Sequence, residues 1–158
     1  MFGDLSSDDV ELLNAYGVLG HSAKKDMHDY LCYLLNKQYK KELMAAIFNN
    51  QLIHSLLHSL LHTAEREDFD IDQIEKRIRQ FKEIYFGIFE HVYNKYAELI
   101  TDLDSYEMVK DFGLNSVEHI LRACFSGNHG VIRFEIIELC ENFNKLARKK
   151  DARKIIAV

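Results

Sequence analysis

No proline interrupts this chain of 158 residues, and apolar residues recur at steps of three and four almost from end to end. Proline removes an amide donor and clashes with the preceding turn, so it is the strongest local stop for a helix. Without it, long uninterrupted helices are open to the chain, and the 3.6-residue apolar period indicates that it uses them. No strand-like alternation is sustained; only VIRFEII (131–137) is β-branched enough to suggest a strand. The expectation is a single all-α domain, spanning 1–158, of six to eight helices, with seven as the direct count.

The caps divide the chain. Ser6 with Asp9 three residues on makes a capping-box start, and Val10, Leu12, Leu13 and Tyr16 supply a short stripe before Gly17 and Gly20. Ser22 opens a second helix, in which Met27, Tyr30, Leu31, Leu34 and Leu35 follow the i, i+3, i+4, i+7, i+8 pattern of one buried face. A third stretch runs from about Lys40 to Ala64, with Asn49-Asn50 as the place where it bends or breaks. Asp70 and Gln73 open the longest candidate, reaching about Asp102 and spanning roughly 45 Å at 1.5 Å per residue. Such length implies either a kink at Gly87 or an end that projects toward a partner. A shorter helix ends near Gly113, and Asn115 opens another to Phe125. After the loop Ser126–Gly130, a last helix begins at Val131 and runs into a basic tail, Lys145 to Lys154.

Composition narrows the function classes. Hydrophobic residues make up 47% of the chain, enough to fill a core at this length. A net charge of −5 disfavours general nucleic-acid binding, which draws most of its affinity from a basic face. No apolar run approaches the roughly 18–20 residues of a spanning helix, and the acidic opening MFGDLSSDD lacks the layout of a signal peptide. Three cysteines at unrelated spacings build neither a disulfide frame nor a zinc ribbon. A cytoplasmic protein that does not engage a membrane is expected.

The constellations that carry chemistry are sparse. His54, His58 and His62 stand at i, i+4, i+8 and share one side of a helix with Ser55 and Ser59. That side is a mildly polar boundary, a pH-sensitive or anion-binding surface, or a metal site; the zinc-protease HExxH pattern lacks its glutamate. No histidine has a glutamate three residues before it, so a di-iron Glu-x-x-His pair is excluded. No nucleophile elbow or glycine-rich phosphate loop is present. Cys32, Cys124 and Cys140 lie on apolar faces as small buried residues. The basic tail either complements a helix C-terminus or docks on an acidic partner. Tyr85, Phe86, Phe89, Tyr93 and Tyr96 exceed one narrow stripe, which suits a core, a ligand chamber or a subunit interface.

The segment IEKRIRQFKEIYFGIFEHVYNKYAELI, Ile74 to Ile100, resembles the aromatic-rich part of sensor-globin domains, and the helix order over residues 8–100 is similar. The departures matter. Ile84-Tyr85 stands where the family has Ile-His, Gly87 follows two residues later rather than four, and a register set on Gly87 places Glu83 at the histidine. His91 is one turn or more out of place for a proximal ligand. The chain is therefore more similar to the haem-free globin-like sensors of bacterial stress and sporulation signalling. That resemblance implies a homodimer built by the last two helices, a fatty-acid-like ligand in place of haem, and no cofactor or metal. It favours a globin-like arrangement over a simple up-down bundle.

The resulting expectation is a non-enzymatic sensor or regulatory domain that acts through a signalling protein partner. The alternatives are a ligand-free helical adaptor or antagonist and a haem-binding globin using His91 or another histidine. An apolar chamber would be lined by Leu34, Phe48, Leu56, Phe81, Tyr85 and Phe89, with His58, His62 or Tyr85 meeting a polar end of the ligand. A dimer interface would use Val131, Phe134, Ile136, Ile137, Cys140 and Phe143 with Val92 and Tyr96. On the last helix, Phe134 and Ile137 point away from Ile136, Leu139 and Phe143, so one side packs inward and the other needs a cover.

Overall fold

A computed structural model describes residues 3–156, with side chains described to residue 149. These residues form six helices and no strand: α1 (Ser7–Val18), α2 (His21–Phe48), α3 (Gln51–Ala64), α4 (Ile71–Ala97), α5 (Glu107–Ser126) and α6 (His129–Ile156). VIRFEII is helical within α6.

The ends are set by local side-chain chemistry. Ser6 and Asp9 form the reciprocal capping box of α1, which holds the Asp9 carboxyl below its ordinary range, chiefly through the Ser6 hydroxyl. Asn50 accepts from the Ile53 amide at 3.1 Å and opens α3, so the break falls at Asn49-Asn50. Asp70 caps α4 through the Asp72 amide, and Asn128 accepts from the Gly130 and Val131 amides at the start of α6. Gly127 ends α5 at φ 72°, a left-handed conformation that glycine adopts without a Cβ penalty.

Two expected boundaries are absent. Residues 36–40 continue through α2, because Asn36, Lys37 and Gln38 sit on a helix whose one side is wet. Gly113 lies inside α5 and marks a close approach instead of a terminus. A Cβ there would stand 2.7 Å from Tyr85 Cδ1 and 3.0 Å from Cζ. These two mergers and the break at Asn49-Asn50 turn seven helices into six.

Helices α2 to α6 make the body, through the packed pairs α2–α4, α2–α6, α3–α4, α3–α6, α4–α5 and α5–α6. Its centre holds Tyr39, Leu43, Ile47 and Phe48 of α2 with Ile74, Ile78, Phe81 and Tyr85 of α4. Ile120 of α5 and Ile132, Ile136 and Phe143 of α6 complete it. Polar anchors tie the connections down. Arg133 donates to Ala64 O at 2.6 Å and to Arg66 O at 2.9 Å, closing the end of α3. Lys40 pairs with Asp104 at 2.5 Å, and Asn36 accepts from the Asp104 amide, fastening the α4–α5 loop on α2. α1 is not among the packed pairs, and none of its residues is buried.

Candidate functional site

Four of the six expected chamber residues, Phe48, Phe81, Tyr85 and Phe89, are buried, Leu56 is half-buried and Leu34 is exposed. The buried rings pack on each other. Phe48 lies 4.8 Å from Phe143 between ring centroids, Phe81 5.5 Å from Tyr85, and Phe112 closes on both Phe48 and Tyr85. Tyr85 donates its hydroxyl to Val109 O, and burial pushes its phenol well above its ordinary range. These rings thus form one packed aromatic group in the body. Leu34 departs from the expectation because it lies on the far side of α2 from the core. His58 and His62 are exposed on α3 and do not face these rings.

The histidine side of α3 borders α6 in a cleft of about 300 Å³ lined by His54, Leu57, His58, Leu61, Cys140 and Asn144. His54 donates to Phe48 O at 2.8 Å and meets Phe143 edge-on, so its ring caps the end of α2. His62 lies at 3.6 Å from Glu65 on the outer surface. Cys140 points its thiol toward Leu57 O, and burial pushes it up to about 11. Burial, and then the nearby Glu75 charge, also raises the Cys124 thiol. No cluster of three His, Cys, Asp or Glu suited to a metal occurs among the described residues. His91 is exposed on α4.

The expected interface divides. Val92, Tyr96, Ile136, Cys140 and Phe143 are buried within their own chain, whereas Val131, Phe134 and Ile137 are exposed. The two-sided character of α6 is real, but the inner side is the one carrying Ile132, Ile136, Leu139 and Phe143. Ile136 is therefore a core residue and cannot be a dimer contact. Tyr96 donates to Glu42, which also receives Lys95 at 2.9 Å. The Tyr96 hydroxyl first, and then Lys95, hold the Glu42 carboxyl below its ordinary range. Of the basic tail, Lys145, Arg148 and Lys149 are exposed, and the side chains of Lys150, Arg153 and Lys154 lie outside the described residues.

A different surface stands out. Counting 100° per residue along α2, Tyr39, Leu43 and Ile47 point into the body. Met27, Tyr30, Leu31 and Leu34 point the opposite way. The first set is fully buried, while Tyr30, Leu31 and Leu34 are 61%, 52% and 41% exposed. This helix thus carries two apolar stripes on opposite sides, and only the C-terminal one belongs to the core. Residues 21–34 contain no buried residue and run about 20 Å at 1.5 Å per residue, with α1 at their N-terminal end, whereas Leu35 packs against the core. There Leu12, Leu13 and Tyr16 of α1 are each at least 38% exposed, as are Leu5 before its cap and Val10 and Val18 on its other sides. Lys24 lies over the Tyr16 ring at 5.2 Å, at the corner of this two-helix arm. Periodicity identified both stripes but not their direction. The angle between Leu34 and Leu43 was the signal that α2 cannot bury both.

No family model, curated protein or solved structure matches the chain.

Proposed function

We propose that this protein is a non-enzymatic regulatory domain that acts through protein contacts made by its α1–α2 arm. The observation that carries the proposal is the pair of opposed stripes on α2. A helix rooted in the body by Tyr39, Leu43 and Ile47 holds Tyr30, Leu31 and Leu34 where the body cannot reach them. Contiguous exposed apolar surface of this extent marks an interaction site in a water-soluble setting. Several groups suited to chemistry are meanwhile engaged in structure. His54 caps α2, Tyr85 is bonded to Val109, His129 is bonded to Phe69 O, and the thiols of Cys124 and Cys140 are buried.

The resemblance to haem-free sensor globins supports the regulatory part of the proposal and a globin-like arrangement of the body. The mutual packing of Phe48, Phe81, Tyr85 and Phe112 supports recognition on the surface of that body over recognition inside it. The test is comparative capture from the native host. Wild-type protein and a Phe134→Glu control should retain the same stoichiometric partner, and Leu31→Glu should lose it. Identical partners for all three would refute the proposal. Mass spectrometry of the denatured protein checks the chamber separately, and no retained apolar ligand is expected.

A further inference from the structure

Resting on that assignment of the arm, we infer that its occupant is a basic amphipathic segment of a different protein, with apolar anchors set between lysines or arginines. The anchors would seat on Leu12 and Tyr16 of α1 and on Tyr30, Leu31 and Leu34 of α2, all exposed. What selects this chemistry is the charge around the stripes. Residues 3–35 hold six carboxylates (Asp4, Asp8, Asp9, Glu11, Asp26 and Asp29) against Lys24 and Lys25, so with neutral histidines the arm carries −4 of the chain's net −5. The body is close to charge balance. On α1, Asp8 stands at i, i+4 to Leu12 and Asp9 at i, i+7 to Tyr16, spacings that share one side of a helix. The carboxylates therefore border the exposed apolar side chains instead of occupying an opposite, solvated face.

The arm's own structure does not account for these charges. Every ion pair among the described residues lies in the body, as in Lys40–Asp104, Lys95–Glu42 and Arg122–Glu118. Asp8 and Asp9 stand in the first turn of α1, where a carboxylate favours the helix dipole, and Asp9 closes the capping box. Asp4 precedes the cap and Glu11 lies beyond the first turn, so neither has that role. Lys24 is directed at the Tyr16 ring.

Like charge disfavours the other covers. An anionic lipid surface selects amphipathic helices with a basic polar face, and the phosphates of nucleic acid are repelled by the same carboxylates. A second copy laid arm on arm would set −4 against −4. A protein segment of opposite charge meets both demands of the surface. Its apolar anchors cover the stripes, and its cations answer the unpaired carboxylates, steer the encounter and reject acidic competitors. Rows of exposed apolar residues on a helix are matched by anchors at i, i+3, i+4 and i+7 of a partner helix.

Two labelled synthetic helices test the inference on the full chain by fluorescence anisotropy. Both carry leucines at i, i+3, i+4 and i+7; one has lysines at the remaining positions and the other glutamates. The lysine peptide should bind at least about tenfold more tightly, and its affinity should fall as salt is raised from about 50 to about 300 mM. Asp4→Asn with Glu11→Gln, which spares the capping box, should weaken it by about three- to tenfold, the scale of two partly exposed ion pairs. Leu31→Glu makes the arm more acidic, so attraction by charge alone would strengthen; seating on the stripe should instead weaken by about tenfold or more. Phe134→Glu should change nothing. Because the substituted residues are all exposed, the body should unfold at the same urea concentration in every variant, which separates lost binding from lost folding. Equal binding of the two peptides overturns the inference, as does lysine-peptide binding that Leu31→Glu leaves unchanged or strengthens. So does a dimer in sedimentation that Leu31→Glu splits, since a second copy then covers the arm. Capture from the host separates this failure from that of the proposed function. A partner lost on Leu31→Glu but held equally by wild type and by Asp4→Asn with Glu11→Gln, at low and high salt, refutes only the basic occupant. Capture unchanged in Leu31→Glu refutes both.

Discussion

Two helix-interior glycines predict opposite responses to the same substitution. Gly87, in α4, is exposed, and a Cβ there meets nothing within 4 Å. Gly113, in α5, faces the ring of Tyr85, and an added Cβ would sit 2.7 Å from Cδ1 and 3.0 Å from Cζ, with Cε1 nearer still. Tyr85 is fully buried, bonded through its hydroxyl to Val109 O, and backed by Phe81 and Phe112, so its ring has nowhere to move. Alanine gains about 1 kcal/mol over glycine in a helix interior at either site. Overpacking a close-packed core costs about 1–3 kcal/mol, and overlap with several atoms of a pinned ring lies at the upper end. Gly113→Ala should therefore lose about 2 kcal/mol net, while Gly87→Ala should gain up to about 1 kcal/mol. With a urea slope near 2 kcal/mol/M, the midpoint should fall by about 1 M in the first and rise by a few tenths molar in the second. Urea unfolding followed by far-ultraviolet circular dichroism reads both. Tyr85→Leu combined with Gly113→Ala should cost less than the two single changes added together, because the clash is gone. A Gly113→Ala midpoint equal to or above that of wild type would refute the close α4–α5 approach.

Ile136→Glu should abolish cooperative folding, since it places a carboxylate at a fully buried site, whereas Phe134→Glu on the outer side of the same helix should shift the urea midpoint little. With iodoacetamide at neutral pH, half-buried Cys32 should alkylate first, and Cys140, its thiol pushed up to about 11 by burial, only as the body opens; equal rates in folded protein would contradict the packing of α3 on α6. Glu42 is held below its ordinary range by Tyr96 and Lys95, so its contribution is complete above the unfolded carboxylate value and is lost as pH falls through the lowered folded value. Glu42→Gln should accordingly lose less stability than wild type on acidification through that window, as read by urea midpoints, and an unchanged pH dependence would show that the Tyr96–Glu42 contact adds nothing.

What the sequence made legible was whatever local chemistry decides. Ser6 with Asp9, the Asn49-Asn50 break and the Asp70 start are capping events between residues two to three positions apart, and each is where its side chains predict it. Burial of Phe48, Phe81, Tyr85 and Phe89 also followed from helical spacing. The failures share a different cause. Gly113 reads as a helix stop because glycine disfavours helices, yet its role is set by a ring on another helix, which no local pattern encodes. Leu34 and Ile136 were assigned to the wrong environments for a related reason. Periodicity shows that a helix has two apolar sides but not which one the rest of the chain covers. On α2 the deciding fact is the root formed by Tyr39, Leu43 and Ile47, and on α6 it is the contact of Phe143 with Phe48. The arm was legible as two short stripes and illegible as a surface.

Hydrogen exchange at the amides of α1 and of residues 24–35 tests most directly whether the arm works as a covered contact surface. Protection there should rise when the partner captured from the host is added to wild-type protein and not when it is added to Leu31→Glu, while the amides of α4, buried at the centre of the body, stay protected throughout. Exchange in the arm that this partner leaves unchanged would contradict it.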